Sequence, residues 1–234
     1  MADYTLYYWP IPFRGEFVRA TLAHVGADWA EAGPDAVAEL MEHLPADQPV
    51  GHMGPPVLVD HREDFAVSQT AAILTWLGLQ HDLIPEDGKG RVRTAKVLAD
   101  VEDILYEMTL HNGTQQWTRE RWAVHRPRLE RWMGIFEVTG QRHGLTATQG
   151  HLLGGDALGV ADLATAVLWG TMTRQLPPLR PLLEASAPAI AGLADRIEGR
   201  PEQTARIARG EAVWGDAWCG GEIEASLRDA LAAD

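Results

Sequence analysis

The chain has 234 residues, 46% of them hydrophobic and 23% charged, with a formal net charge of −13 and one cysteine. That length suits one large domain or two modest ones, with ample apolar material for a packed core. Twenty basic residues scattered among 33 acidic ones form no positive stripe, which excludes binding to nucleic acid by phosphate neutralisation, and a lone Cys219 excludes an internal disulfide or a paired redox motif.

Residues 1–10 lack a basic n-region and a sustained apolar run, so they do not read as a signal peptide. No stretch approaches the roughly 20 apolar residues needed to cross a bilayer, and the expectation is a cytoplasmic protein with no membrane partner. Residues 4–9 are β-prone and are stopped by Pro10 and Pro12. Residues 13–25 have helical spacing, with Phe17, Val18, Thr21, Leu22 and Val25 on one stripe and Gly26 at the end. A second strand is expected at 28–31 and a second helix at 34–44. Strands at 57–59 and 65–67 flank an acidic turn at 61–64, and a helix follows at 68–77. The order is β-α-β-α-β-β-α.

Composition then changes. Residues 78–91 are rich in Gly, Asp and Pro and read as a linker. Beyond it the pattern predicts helices at 92–111, 119–139, 160–174 and 187–198, with a short one at 222–232, and no strand. The fold class is therefore an α/β unit followed by an all-α unit.

Three motifs share a resemblance. Tyr8-Trp9-Pro10-Ile11-Pro12-Phe13-Arg14-Gly15-Glu16-Phe17-Val18-Arg19 resembles, without a gap, the opening of the tyrosine-type cytosolic glutathione transferases. Pro56-Val57-Leu58 resembles that family's Pro-x-Leu, whose proline is cis and sits beside the cysteinyl part of glutathione. Gln69-Thr70-Ala71-Ala72-Ile73, followed by Trp76-Leu77, resembles its acidic-or-Gln, Ser, x, Ala, Ile signature. The resemblance implies a thioredoxin-like glutathione-binding domain at 1–80 and a helical-bundle domain at 91–234 that shapes an apolar pocket. It also implies glutathione as co-substrate, a hydrophobic electrophile, no metal, and a homodimer.

Under that reading Tyr8 is the catalytic residue. Alternation along a strand separates Tyr8 from Tyr7 and Trp9, although a one-residue slip would make Tyr7 the substitute. A phenol beside a helix N-terminus donates to a bound sulfur and favours the thiolate. Unassisted, a thiol of pKa ~8.5 is only a few per cent ionised at neutral pH. The alternative is a packed strand aromatic. Gln69 and Thr70 open the third helix, where free N–H groups make an anion site for the γ-glutamyl carboxylate; the alternative is that Ser68 or Thr70 merely caps the helix. Arg14 is the candidate partner of the glycyl carboxylate, or a solvated surface arginine, and Arg19 reads as structural. Pro55-Pro56 departs from the family, which places a non-proline residue before the cis proline. Pro55 has no N–H, so only its carbonyl could bond the peptide.

In the second unit, Leu158-Gly159-Val160-Ala161-Asp162-Leu163 resembles the family's Ser/Thr-x-x-Asp capping box, with Gly159 in place of the hydroxyl and Leu158 and Leu163 as a staple. The nine histidines show no HxxxH or HExxH spacing. Asp100 and Asp103 read as a solvated acidic face, or as groups reaching a ligand's ammonium from a partner subunit. Cys219 lies far along the chain from the first strand and is not expected to be a reactive thiol. Tyr106, Trp117, Trp122 and Trp132 read as core or as lining of the apolar pocket. Alternatives to transfer are peroxide reduction or isomerisation through the same thiolate, a different small thiol, or a non-catalytic binder, which the missing Pro55 N–H keeps open.

Overall fold

A computed structural model describes residues 2–232. Strand β1 (Tyr4–Tyr7) alternates buried and half-buried positions, so Tyr4 and Leu6 face the core. It pairs in parallel with β2 (Trp29–Glu31) and antiparallel with β3 (Val57–Asp60), which forms a hairpin with β4 (Phe65–Ser68). The strand order is β2-β1-β3-β4. Helix α1 (Arg14–His24) crosses between β1 and β2, α2 (Pro34–Glu42) follows β2, and α3 (Thr70–Gln80) follows β4. Helices α1 and α3 pack on each other.

After a turn at residues 81–87, Asp87 caps α4 (Gly88–Met108) by accepting from the N–H groups of Lys89 and Gly90 at 3.0 and 2.9 Å. The remaining helices are α6 (Arg119–Arg142), α7 (Val160–Ala166), α8 (Met172–Gln175), α9 (Arg180–Ser186), α10 (Pro188–Glu198), α11 (Pro201–Trp214) and α12 (Gly221–Leu231). Between α4 and α6 lies α5 (Leu110–Gly113), a single turn wound left-handed: Leu110, His111, Asn112 and Gly113 all have positive φ. A right-handed helix cannot continue through residues of positive φ, so α4 stops at Met108 rather than running to 111, even though L-residues pay about 1–2 kcal/mol each for that hand. A π-helical turn at Val167–Thr171 joins α7 to α8.

Every residue of α7 is buried, and the helix meets α4, α10 and α1. Its start is held as the sequence suggested: Asp162 reaches back to the Gly159 N–H at 2.9 Å and also accepts the Leu152 N–H at 2.6 Å. Two helices escaped the pattern reading. Helix α9 is short, and α11 buries Gln203, Arg206 and Gly210 rather than an apolar stripe. The two halves join where α1 meets α7 and α11 and where α3 meets α4 and α7. No helix among the described residues is long and apolar enough to cross a membrane.

Candidate active site

Sheet register gathers the three N-terminal motifs. Tyr7 pairs with Val57, and Val57 pairs with Ser68. One step further, Tyr8, Pro56 and Gln69 therefore lie in one row at the carboxyl end of β1. Segments separated by some 50 residues of sequence become neighbours through hydrogen-bonded pairing alone.

Tyr8 keeps the phase of Tyr4 and Leu6 and is 5% exposed, whereas Tyr7 lies on the half-buried phase. The Tyr8 hydroxyl accepts the Arg14 N–H at 3.0 Å, at the start of α1, with the Gly15 N–H adding to that support. Burial pushes the phenol well above its ordinary value; the Arg14 N–H and the charges of Arg14 and Arg19 oppose this only partly. The group is thus a protonated donor at neutral pH. Among the described residues its proton has no acceptor, since both recorded bonds are ones it receives. The ring packs against Gly15, where a methyl group would overlap it. Glycine is what lets the phenol approach the helix N-terminus so closely.

The loop after Tyr8 is clamped by Arg19. Its guanidinium donates to the carbonyls of Trp9 at 3.0 Å and Ile11 at 2.9 Å, and pairs with Glu31 at 2.6 Å and Glu16 at 3.3 Å. It stands 5.6 Å from the centre of the Tyr8 ring. Glu16 is fully buried and is shared with Arg206 of α11, whose Nε donates to Gln203 at 2.8 Å. Gln203 in turn donates to the Ala20 carbonyl of α1 at 2.9 Å. The sequence reading gave Arg19 a structural part without finding this network. Its signal was the Glu16–Arg19 spacing, which puts opposite charges on one helix face.

Arg14 bridges the two halves: it donates to Glu102 of α4 at 2.5 Å and to Asn112 of α5 at 3.5 Å. The Pro55-Pro56 peptide bond is cis. Gln69 occupies the N-cap of α3 with φ of 71°, and no side chain caps that helix, so neither Ser68 nor Thr70 plays the capping part. Thr70 is 1% exposed, and its hydroxyl is sealed from solvent without a hydrogen-bond partner. A buried hydroxyl at an uncapped helix N-terminus leaves a polar demand that an anionic or polar ligand group would meet.

The chain's far end returns to the same loop. Phe13 and Trp218 meet edge to face with ring centres 5.2 Å apart, so distance along the sequence did not keep the Cys219 segment away from the loop after β1. The Cys219 thiol itself is pushed up to about 12, first by burial and then by the Glu224 carboxylate, which removes its nucleophilic character at neutral pH. Trp117 and Trp122 are core residues, Trp117 donating to the Met108 carbonyl at 3.0 Å, while Tyr106 is 43% exposed beside His111. Asp100 pairs with Lys96 and, with Asp103, edges a cavity between α4 and α6. Among the described residues no cluster of His, Cys, Asp or Glu is arranged to hold a metal ion.

Fold and site together define a thioredoxin-like α/β unit, with a cis proline opening its third strand, joined to a helical bundle. Residues 93–230 match the family of glutathione S-transferase C-terminal domains. The chain belongs to the glutathione S-transferase family. Among solved structures it is similar to NaGST-2, with a TM-score of 0.69 at 18% identity over 89% of this chain and 97% of that one. It is also similar to the Pi-class glutathione S-transferase of Onchocerca volvulus, with a TM-score of 0.68 at 17% identity over 94% and 98% of the two chains. No curated protein matches the sequence.

Proposed function

We propose that the chain is a glutathione transferase in which Tyr8 donates its phenolic proton in a hydrogen bond to the sulfur of bound glutathione. The observation that carries this reading is the state of the Tyr8 hydroxyl: buried, protonated, receiving the Arg14 N–H at 3.0 Å, and without an acceptor for its own proton. N–H donors on a phenol oxygen strengthen its O–H as a donor. The thiol proton leaves to solvent, and the thiolate attacks an apolar electrophile; a carbon–sulfur bond forms as the leaving group departs with the bonding electrons. Holding both reactants in the cleft adds proximity to that ionisation.

Glutathione's γ-glutamyl carboxylate belongs, in this reading, at the N-terminus of α3, where the unpartnered Thr70 hydroxyl and the exposed Gln69 meet it. The backbone at Pro55 and Pro56 lies beside the cysteinyl part. Arg14 meets the glycyl carboxylate by sharing its guanidinium with Glu102. We take residues 1–80 as the glutathione-binding domain and 91–234 as the domain that shapes the apolar pocket. The setting we propose is the cytoplasm, in a homodimer, and the exposed Tyr106, Ile135 and Val138 of α4 and α6 are candidates for the face it covers.

The test is calorimetric titration with glutathione alongside turnover with an aryl halide, a hydroperoxide and a maleyl compound. Glutathione binding with aryl-halide conjugation supports the reading. Turnover confined to the peroxide or the maleyl compound redirects it to a peroxidase or isomerase. Binding without any turnover makes the protein a non-catalytic binder, and competition by another small thiol reveals a different co-substrate.

A further inference from the structure

The row at the carboxyl end of β1 runs from Tyr8 through Pro56 to Gln69, in the strand order β1-β3-β4. A thiol with its sulfur on the Tyr8 hydroxyl and its γ-glutamyl carboxylate at the N-terminus of α3 must therefore cross the segment that enters β3. That segment is Gly54-Pro55-Pro56, with Pro55 half-buried and Pro56 buried. Two consecutive prolines offer a ligand no N–H at all. The Pro55 carbonyl accepts no hydrogen bond from the described residues and is open to a ligand's N–H.

The place of the glycyl end is no better provided. Arg14 already serves Glu102 at 2.5 Å and Asn112 at 3.5 Å. The loop at 44–56 that leads into Pro55 contains no Lys or Arg. Its His52 is held below the ordinary histidine pKa, first by burial and then by His43, and so brings no charge at neutral pH. At the γ-glutamyl end the protein's own needs are unmet: the Thr70 hydroxyl is sealed and unpartnered, and no side chain caps α3. Groups waiting for a ligand thus gather at one end of the row and are missing beyond its middle.

We propose that this site selects its thiol through the γ-glutamyl end and leaves the cysteinyl carbonyl, and everything attached beyond it, unread. The inference rests on the glutathione reading and widens it: the co-substrates are N-(γ-glutamyl) thiols as a class. Glutathione is one member. N-(γ-glutamyl)cysteamine, which lacks the cysteinyl carbonyl and the glycine, is another. Both bring the same amide N–H to the Pro55 carbonyl and the same carboxylate to α3. In glutathione the cysteinyl carbonyl gives up water and meets no donor, a cost that offsets what the shared Arg14 returns.

Calorimetric titration with the two thiols tests this. The unaltered protein is expected to bind N-(γ-glutamyl)cysteamine within about fivefold of glutathione, and cysteinylglycine, which lacks the γ-glutamyl group, at least about tenfold more weakly. Pro55→Ala restores one N–H where the cysteinyl carbonyl lies. It is expected to tighten glutathione by about threefold to tenfold and to leave N-(γ-glutamyl)cysteamine within about twofold, since that thiol has no carbonyl to receive the bond. The comparison in the unaltered protein stands whether or not the variant folds. A deficit of more than about fivefold for N-(γ-glutamyl)cysteamine, equal binding of cysteinylglycine, or a Pro55→Ala effect alike on both thiols overturns this inference alone. No binding of any γ-glutamyl thiol overturns the glutathione reading and this inference with it.

Discussion

Replacing Tyr8 with phenylalanine removes one oxygen and little else. The ring still lies on Gly15 and under Arg19, so packing is retained. The Arg14 N–H loses its acceptor, a cost of about 1–3 kcal/mol for a buried donor left unpaired, visible as a lowered urea midpoint but not as unfolding. The chemical effect is separable. A hydrogen bond to a charged sulfur contributes about 1.5–3 kcal/mol, which at 1.36 kcal/mol per unit is one to two units of thiol pKa. The bound thiol, ionising near ~6.5–7.5 with Tyr8, should return towards ~8.5 without it. Activity needs the thiolate, so the acid limb of kcat/KM moves up by about one to two pH units. The rate at pH 7 falls about 8- to 25-fold, and the two profiles converge in alkali. Conjugation of an aryl halide measured across pH, with calorimetric glutathione affinity as control, reads this directly. An unmoved acid limb in Tyr8→Phe, or a loss equal at every pH, would refute sulfur ionisation as the role of the phenol.

Arg19→Lys keeps the charge but loses the planar fork that serves Trp9, Ile11, Glu16 and Glu31. We expect about 2–4 kcal/mol less stability and a fall in kcat, both absent if the loop after Tyr8 holds itself. Asp162→Ala leaves the N–H groups of Leu152 and Gly159 without their acceptor; denaturant unfolding should show a loss of about 2–4 kcal/mol, and a loss under about 0.5 kcal/mol would deny the capping box its role. His125, between Trp117 and Trp132 with a sealed, unpartnered Nε2, is held below its ordinary pKa, first by burial. Its folded value lies below the unfolded ~6.5, so its stabilising contribution is complete above that pH and is lost as pH falls through the lower folded value. His125→Leu should flatten the decline in stability between about pH 7 and pH 5, leaving the residual slope from His52 and His81, which are lowered in the same sense.

What was legible in the sequence followed short-range rules. The β-prone run at 4–9, the Pro10 stop, the acidic turn at 61–64 and the Asp162 cap are local statements, and the structure repeats them within a few residues. Motif order along the chain was enough to nominate Tyr8, Pro56 and Gln69. That they share one row follows from the β1–β3–β4 register, which no single segment encodes. The left-handed turn at 110–113 was illegible because it begins at Leu110, a residue that favours the right-handed helix. Only Asn112 and Gly113 hint at a break.

Helix α11 shows why pattern reading stops where it does. Hydrophobic periodicity finds a helix through the apolar stripe it buries, but α11 turns Gln203, Arg206 and Gly210 inward. Those polar groups are buried at low cost only because partners from α1 are already waiting: Glu16 for Arg206 and the Ala20 carbonyl for Gln203. The same Glu16 steadies Arg19, and Arg19 holds the carbonyls of the loop that follows Tyr8. The helix with the weakest signal in the sequence is thus tied by buried charge to the loop beside the phenol. The C-terminal half, which carries the family match, and the N-terminal half, which carries the motif, are joined through one buried network of charges.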